Sequence, residues 1–355
     1  MEYPKFKVCV RCMTYNQSKY IEDALNGFTM QQTDFPFVCC VVDDASTDGE
    51  QAVIKKYMNK HFDYSPNSVS FDEETDYAYI HYAQHKENKN CYFAVLFLKE
   101  NLYSKNEGYK KLEYIAEWRD GCEYEAMCEG DDYWIMPQKL QMQMDFMESH
   151  PEIGLCYTNF SIRYQDTGTM IEDVAHNLPQ RYPMIFNSAE DFVLAKPYVC
   201  PPSWLYRRKI YQQFCKIKAI CDGTFVIFSA VLKISKAYYI DEETSVYRVL
   251  NSSASHSNTI EGRLRREKNL LQEQLAIIDQ LQLDPAIKKK CEISYYRDNL
   301  IFFAENHMKD ELWQAKRNIA TLSTKEKCII LIGNILVLSV LLKVVHKIHN
   351  LLKGY

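Results

Sequence analysis

The sequence predicts an α/β domain, with a mostly parallel sheet flanked by helices, followed by a helical extension. Two apolar runs rich in β-forming residues, residues 6–14 and residues 37–42, are each followed by a segment of helical periodicity. Residues 260–322 are charged and helical in pattern. The continuous apolarity of the second run indicates burial on both faces, which parallel strands joined by crossover helices provide.

The first unit of the predicted domain is a strand followed by a helix. That helix places Ile21, Leu25 and Phe28 on one face, with Ser18 available as its N-cap. A second helix follows the second strand. Residues 61–90 are rich in Asp, Asn, Ser and Tyr and lack clear periodicity, so we interpret them as a loop-rich insertion.

Later segments continue the alternation of strands and helices. A third apolar approach ends in the Asp131-Asp132 turn and leads into another helix. The stretch IGLCYTNFSI predicts a strand, FVIFSAVLKIS predicts a helix, and AYYIDEETSVYRVL predicts a hairpin or strand pair. These patterns predict a main domain over residues 1–258, a helical extension over residues 259–325 and a C-terminal helix over residues 326–355.

The composition shows no excess of positive charge that would favour binding to nucleic acid, and we predict no nucleic-acid partner. The 355 residues include 42 Lys and Arg against 47 Asp and Glu, a net charge of −5 at pH 7. Several of the 13 Cys lie inside apolar runs, which indicates reduced thiols and a cytoplasmic protein. Cys9 and Cys12 lie in a predicted strand and point to opposite faces, which argues against a metal site there.

The C-terminal segment is apolar and then basic. Residues 328–342 are almost wholly apolar, and Lys343, Lys347 and Lys353 follow. This run is shorter than the roughly 20 residues that a helix needs to span a bilayer. Three interpretations remain open: an interfacial helix at the inner face of the cell membrane, a buried helix, and a contact between two copies of the chain.

Polar side chains follow three predicted strands: Thr14-Tyr15-Asn16, Asp43-Asp44 and Asp131-Asp132. Because parallel strands end at the same edge of a sheet, we expect these groups to share one rim. Each has an ordinary alternative as turn or capping chemistry. Together they suit a nucleotide, because Tyr15 offers a flat contact, Asp44 an acceptor for base or ribose, and Asp132 a ligand for a divalent cation on the diphosphate.

The segments MTYNQSKYIEDAL, VVDDASTDG and EGDDYWIMPQKLQMQ resemble the signatures of glycosyltransferase family 2. The resemblance is dense over residues 5–165, continues in patches to residue 258, and does not cover the remainder. It implies a GT-A fold, which is Rossmann-like, and sugar transfer from a nucleotide-sugar donor. YRVLNSSASHS resembles the end of bacterial family 2 domains that build surface polysaccharide.

The resemblance also implies roles for residues. Asp131 would meet the ribose or sugar, and Asp132 would ligate Mn²⁺ or Mg²⁺. The family's metal motif is often Asp-x-Asp, and we assign its first position here to Gly130, which leaves the cation one protein carboxylate. The donor-binding residues implied by position are Thr14, Tyr15, Asn16, Asp44, Asn101 and Lys105.

Family 2 enzymes typically invert the anomeric centre and use a carboxylate as general base, and Asp222 is our candidate for that base. A capping role for Asp222 in the helix that begins near Thr224 remains open. Arg248 and His256 are candidates to contact the departing diphosphate. Trp204 is a candidate acceptor platform, with a core position equally open.

The sequence therefore predicts a metal-assisted inverting glycosyltransferase. Its expected donor is a UDP-sugar, and its expected acceptor is a glycan or lipid-linked glycan. Two alternatives remain: a non-catalytic nucleotide-sugar binder or scaffold, and a nucleotidyltransferase. The second usually has a Gly-rich basic phosphate loop near its first strand, which RCMTYNQSKY lacks.

Overall fold

The computed structural model describes residues 3–214, 217, 219–250 and 259–352. The chain divides into two compact units that do not follow its order. The first unit contains the sheet, and the second contains most of the C-terminal helices. The first unit is Met1–Asn187, Pro197–Lys216 and Ala230–Leu250, and the second is Ser188–Lys196, Ile217–Ser229 and Asn251–Tyr355. The second unit thus takes two segments from the region predicted as the main domain.

Eleven strands of the described chain form a single sheet in the first unit. The strands are β1 (Val8–Thr14), β2 (Phe37–Asp43), β3 (Phe71–Glu74), β4 (Ala78–Gln84), β5 (Cys91–Leu98), β6 (Tyr124–Met127), β7 (Tyr133–Trp134), β8 (Ile153–Tyr164), β9 (Met170–Ile171), β10 (Leu205–Arg207) and β11 (Lys236–Val249).

The helices vary from single turns to six turns. In chain order they are α1 (Ile21–Thr29), α2 (Glu50–His61), α3 (Lys110–Tyr114), α4 (Ala116–Arg119), α5 (Lys139–Ser149), α6 (Val174–Asn177), α7 (Ala189–Ala195), α8 (Arg208–Phe214), α9 (Gly223–Ile234), α10 (Ile260–Gln280), α11 (Ala286–Asp298), α12 (Leu300–Glu305), α13 (Lys309–Asn318), α14 (Thr324–Gly333) and α15 (Leu336–Leu352). A short 3-10 helix covers Pro201–Ser203.

The centre of the sheet is parallel and its flanks are largely antiparallel. The strand order is β3-β4-β5-β2-β1-β6-β10-β8-β11-β7, with β9 beside β8. Strands β5, β2, β1 and β6 are parallel neighbours, and β8 and β11 form a further parallel pair. Every residue of β2 is buried, as its continuous apolarity predicts. The α/β prediction is confirmed, and the carboxyl ends of β1, β2 and β6 lie at the same edge.

Two interpretations of polar segments were wrong. Residues 61–90 are not a loop-rich insertion, because β3 and β4 form an antiparallel hairpin that extends the sheet beside β5. In β4 the buried residues Ala78, Ile80 and Tyr82 alternate with more exposed ones, which is the pattern of a half-buried strand. The segment read as a hairpin or strand pair is the single strand β11, with register shifts between Ile240 and Ser245.

The second unit confirms the predicted helical C-terminus. Its hydrophobic core includes Leu300, Phe303, Leu312 and Ala315 from α12 and α13. Helix α14 approaches α12 closely at Gly333, where an added Cβ would lie 2.6 Å from the Cα of Ala304. A side chain at this position would therefore force the two helices apart.

Candidate functional site at the sheet edge

The loop after β1 presents one exposed aromatic ring between two anchored residues. Thr14 is buried, and its carbonyl accepts the N–H of Asp44 at 3.0 Å. Tyr15 is 45% exposed. Asn16 has φ of +54°, in the left-handed region that Asn tolerates better than most residues. Its N–H donates to Ser46 Oγ at 2.9 Å, and its Oδ1 accepts the N–H of Thr47 at 2.8 Å. Asn16 therefore joins the loops that follow β1 and β2.

Glu50, at the start of α2, braces the same two loops, and sequence reasoning missed it. Its side chain is fully buried and accepts hydrogen bonds from the Gln17 N–H at 2.9 Å, from Ser46 Oγ at 2.8 Å and from Thr14 Oγ1. Burial raises the pKa of Glu50. These contacts hold the backbone around Tyr15 in a fixed position.

The predicted N-cap of α1 was wrong for a related reason. The helix begins at Ile21, and no side chain caps it. The N–H of Ser18 instead donates to Asp48 Oδ2 at 2.9 Å, in the loop after β2. Local sequence favours the cap, but a contact with a residue 30 positions away takes its place.

Asp44 organises the loop after β5. Its buried carboxylate accepts the N–H groups of Leu102 and Tyr103 at 2.8 and 3.1 Å, and Lys111 Nζ lies 2.6 Å from Oδ2. Asn101 donates its side-chain amide to the carbonyl of Asp44 at 3.1 Å. The carboxylate predicted to contact the nucleoside thus holds the loop that lies over the edge of the sheet.

The cation paired with Asp44 is Lys111, and not Lys105, which the resemblance implies as a donor-binding residue. Lys105 is exposed and pairs with Glu100 within the same loop. Lys111 is 9% exposed and reaches Asp44 from the start of α3. No local sequence signal distinguishes Lys111 from the other lysines of this segment, because its partner is 67 residues away.

The turn after β6 packs directly on the end of β1. An added Cβ at Gly130 would lie 2.3 Å from Thr14 Oγ1 and 2.5 Å from Gln17 Oε1. Only glycine allows so close an approach without displacing these side chains. The approach brings Asp131 and Asp132 to the same edge as Thr14.

Three acidic residues, Glu129, Asp131 and Asp132, lie in this turn. Glu129 and Asp131 are partly exposed, whereas Asp132 is 3% exposed. Burial raises the pKa of Glu129 to about 7 and also raises the pKa of Asp131. Burial, together with the nearby charge of Asp131, raises the pKa of Asp132 well above its usual value. Clustered acids with raised pKa values are groups that an added cation would stabilise in their charged form.

Glu129 changes the expectation for a cation at this turn. It stands two residues before Asp131, so the pair has the acid-x-acid spacing that we had assigned to Gly130. All the carboxyl oxygens of this turn are donors that Mg²⁺ and Mn²⁺ accept. Within the described ranges, however, no three His, Cys, Asp or Glu side chains are arranged as a metal cluster.

Arg248 ties β11 to this turn. Its backbone N–H donates to Asp132 Oδ1 at 2.8 Å, and its Nη1 donates to the carbonyl of Asp131 at 2.7 Å. Its Nη2 donates to Asp23 Oδ2 at 2.6 Å, and the guanidinium carbon lies 4.7 Å from the centre of the Tyr20 ring. The side chain is only 2% exposed, so Arg248 belongs to the site as a buried support of the acidic turn.

Asp222 lies in the second unit and caps α9. Its Oδ1 accepts the N–H groups of Thr224 and Phe225, each at 3.0 Å. The capping role that remained open for this residue is therefore present. Capping occupies one carboxylate oxygen and does not itself test the role of general base.

A buried glutamate holds the loop that carries Asp222. Glu273, on α10, accepts the N–H groups of Ile220 at 2.8 Å, Cys221 at 2.6 Å and Asp222 at 3.0 Å. Glu273 is fully buried. Its partners lie more than 50 positions earlier in the chain, so local sequence patterns do not indicate this contact.

Trp204 does not join the sheet edge. Trp204 is 1% exposed and lies in the core, so its ring offers no face to an acceptor and the prediction of a platform was wrong. His256 lies outside the described residues. The structure brings together Thr14, Tyr15, Asn16, Asp44, Asp131, Asp132 and Arg248, with Asn101 joined to them through Asp44.

Comparison with known sequences points to one family. The model of glycosyl transferase family 2 matches residues 9–75, which include β1, β2 and the loops that follow them. Two curated relatives are Rv1520 of Mycobacterium tuberculosis and Mb1547 of Mycobacterium bovis, both described as uncharacterized proteins. Each is 28% identical over 200 residues, which are 56% of this chain and 46% of the relative. The chain spans about half the length of the curated relatives it matches.

Solved structures share the fold. TarS 1–349 of S. aureus, in complex with UDP, has a TM-score of 0.51 and 16% identity, covering 93% of this chain and 81% of that one. The mannosyltransferase PcManGT from Pyrobaculum calidifontis, in complex with GDP-Man and Mn²⁺, has a TM-score of 0.51 and 13% identity, covering 97% and 88%. Identities this low establish likeness of fold, and the predicted GT-A fold is confirmed.

Proposed function

We propose that this chain, whose residues 9–75 match the model of glycosyl transferase family 2, is a glycosyltransferase that moves a sugar from a nucleotide-diphosphate donor to a hydroxyl acceptor, with inversion of the anomeric centre. The observation that carries this proposal is the shared edge of β1, β2 and β6. There the exposed ring of Tyr15 lies on a braced loop, and the acidic turn of Glu129, Asp131 and Asp132 packs on the same strand end.

A nucleoside needs a flat contact and fixed polar partners. Tyr15 would stack on the base, because its loop is held by Asn16 and Glu50 while its ring remains exposed. The loop ordered by Asp44 would close over the nucleoside, with Asn101 as a further polar partner. A UDP-sugar is our default donor, as the resemblance to the family implies. One structural neighbour is complexed with UDP and another with GDP-Man, so GDP-sugars are tested beside UDP-sugars.

The diphosphate needs positive charge. We propose that the acidic turn holds Mn²⁺ or Mg²⁺, with Asp132 as ligand and the more exposed Glu129 and Asp131 beside it. Such an ion, when bound, neutralises the charge that develops on the departing diphosphate. Arg248 would keep the turn in position through its bonds to Asp131 and Asp132. His256 is proposed, from the resemblance alone, as a further contact of the diphosphate.

The acceptor hydroxyl needs a base. We propose Asp222, whose Oδ1 is engaged in capping α9, so that Oδ2 would take the proton. A base must come within hydrogen-bond reach of the hydroxyl it deprotonates, and the loop held by Glu273 fixes the backbone of Asp222 for that purpose. The acceptor class we propose is a glycan or lipid-linked glycan in bacterial polysaccharide synthesis, at the cytoplasmic side of the cell membrane.

A thermal-shift and turnover panel tests this proposal. The purified chain is heated with UDP, GDP, UDP-sugars and GDP-sugars, each with and without Mn²⁺, because ligands that bind the folded state raise its melting temperature. Donors that raise the melting temperature are then tested for hydrolysis and transfer. We expect stabilisation by one nucleotide-sugar class, stronger with Mn²⁺, and slow hydrolysis of that donor. Binding without turnover would instead favour the non-catalytic binder, and no stabilisation by any donor would contradict both functions.

A further inference from the structure

Helix α15 faces its own unit with polar side chains. Ser339 is 1% exposed and donates its hydroxyl to the carbonyl of Gly333 at 3.1 Å. His346 lies two turns further along the helix, and its Nδ1 is 2.5 Å from Glu305. Leu342, between them, is the partly buried apolar residue of this stripe. The inner face of α15 is thus largely polar.

The opposite face of α15 is apolar and open to solvent. Its side chains are between 50% and 69% exposed and follow helical spacing over two turns. We call this the outer face: Val337, Val340, Leu341, Val344 and Val345. A surface helix of a soluble domain usually turns its apolar stripe toward the core. Helix α15 has the reverse arrangement, so its exposed surface suits an apolar phase.

The apolar surface continues onto the preceding helix. Leu331, near the end of α14, is 65% exposed, and Leu336, at the start of α15, is 59% exposed. No single helix of the described ranges is long and apolar enough to cross a bilayer. Helices α14 and α15 reach that length only as a pair, and the chain bends by 117° between them. The exposed apolar side chains of α15, continued by Leu331 and Leu336, suit a helix that lies along a membrane surface.

The positive charge of the C-terminal segment favours a lipid surface over a second copy of the chain as the partner of the outer face. Residues 327–355 contain four lysines and no Asp or Glu, whereas the whole chain has a net charge of −5. Lys343 donates to Asn306 Oδ1 at 3.0 Å, whereas Lys347 is exposed at the border of the outer face. A second copy docked through the same face would bring these like charges together. Anionic lipid headgroups would instead attract them while the lysine stems remain along the apolar surface.

We propose that the outer face of α15 docks the protein peripherally on an anionic lipid bilayer. The helix lies in the plane of the interface, with Val337, Leu341 and Val344 inserted toward the acyl chains and Lys347 at the headgroups. The polar inner face keeps its contacts with Gly333 and Glu305, so docking needs no unfolding of the unit.

Vesicle co-sedimentation of the full chain tests this docking. The wild-type chain is mixed with vesicles of phosphatidylcholine alone or with phosphatidylglycerol, at low and high salt. The outer-face variant carries Val337→Ser, Leu341→Ser and Val344→Ser. The matched control carries Val69→Ser, Met170→Ser and Ile185→Ser, which are exposed apolar residues of the first unit.

We expect the wild-type and control chains to bind the anionic vesicles, and the outer-face variant to bind at least about tenfold more weakly because buried apolar area drives interfacial binding. Lys347→Gln should weaken binding about fivefold and reduce its salt dependence. Melting temperatures of all variants verify that they are folded; if the triple variant is not, the single Leu341→Ser variant takes its place.

Three results would overturn the proposal. The first is a wild-type chain that does not bind anionic vesicles, and the second is an outer-face variant that binds as well as the control. The third is a wild-type chain that is a dimer by light scattering without lipid and an outer-face variant that is a monomer, when neither of them binds vesicles. That result would assign the face to contact between two copies.

Discussion

The backbone of Arg248 binds the side chain of Asp132, which lies 116 positions earlier in the chain. The N–H of Arg248 donates to Asp132 Oδ1 at 2.8 Å, and the guanidinium of Arg248 reaches the carbonyl of Asp131 and the carboxylate of Asp23. Strand β11 therefore sets the position of the acidic turn that follows β6. In this role Arg248 acts on the proposed metal ligand itself, whereas the sequence predicted a contact with the diphosphate.

Asp132→Asn should abolish most of the activity without lowering the stability of the fold. The amide oxygen can still accept the Arg248 N–H, while the buried charge beside Asp131 is removed. The pKa of Asp132 is higher in the folded state than in the unfolded state. Asp132 therefore lowers the free energy of unfolding as pH rises above its unfolded-state pKa, and the Asn variant should not show this loss of stability. We expect an unchanged or higher melting temperature at pH 7 and a loss of transfer of at least about a hundredfold. Melting curves and donor turnover measure the two effects.

The control for this change is Asp166→Asn, which alters an exposed acid in the first unit. It should leave turnover and melting temperature unchanged. Full transfer by Asp132→Asn in the presence of Mn²⁺ would remove Asp132 from the proposed metal site.

Lys111→Met should disorder the loop after β5. The buried Asp44 carboxylate would keep two backbone N–H donors and lose its paired cation at 2.6 Å. Removing one partner of a buried ion pair costs on the order of 3 kcal/mol. We expect a lower melting temperature and a higher KM for the donor, measured by unfolding and by steady-state kinetics.

Lys105→Met provides the comparison within the same loop, because Lys105 is exposed and pairs only with Glu100 among the described residues. Its effect on stability should stay within about 0.5 kcal/mol. If Lys105→Met raises the donor KM more than Lys111→Met does, the role that the family resemblance implies for Lys105 is supported over ours for Lys111.

The sequence predicts the parts of the fold that depend on continuous apolar runs. β2 is recognisable in the sequence because its residues are continuously apolar, and in the structure all seven are buried. The shared position of the acids at the ends of β2 and β6 follows from the parallel arrangement of the strands. The hairpin of β3 and β4 was missed because its outward residues are polar and its first strand has only four residues. Alternation of apolar and polar residues over so short a segment is difficult to distinguish from the sequence of a polar loop.

The supports of the site could not be predicted, because their partners are distant in the chain. Lys111 meets Asp44 across 67 residues, and Glu273 meets Asp222 across 51. Glu129 is different, since its acid-x-acid spacing with Asp131 was visible in EGDD. Placing the motif at Gly130 and Asp132 left Glu129 out, and the packing of Gly130 on Thr14 accounts for the glycine.

Glu125→Gln should destabilise the first unit in a pH-dependent way. The carboxylate is fully buried, 2.7 Å from Arg119 Nε and 3.4 Å from Arg11 Nε. Removing its charge takes a buried carboxylate partner away from two guanidinium groups, at a cost of about 3–5 kcal/mol. Unfolding in urea at pH 7 measures the difference from the wild-type chain.

The pH dependence follows from the pKa of Glu125. Burial alone would raise this pKa, but the charges of Arg11 and Arg119 outweigh burial and lower it below the usual 4.5. A lowered folded-state pKa contributes stability above the unfolded value and loses it as pH falls through the folded value. The gap between wild type and Glu125→Gln should therefore shrink below about pH 4.5. Glu123→Gln, an exposed neighbour paired with Lys7, should show no such gap at any pH.

Glu273→Gln tests whether the loop of Asp222 carries the base. The buried carboxylate accepts the N–H groups of Ile220, Cys221 and Asp222, and an amide would turn N–H groups toward part of this set. We expect a destabilisation of about 2 kcal/mol. If Asp222 is the base, kcat should also fall at least about tenfold with little change in donor KM, because a misplaced base affects the chemical step rather than donor binding. Glu261→Gln, an exposed acid on the same helix, should change neither quantity. A destabilised Glu273→Gln chain with wild-type kcat, together with an active Asp222→Asn chain, would move the general base to another residue.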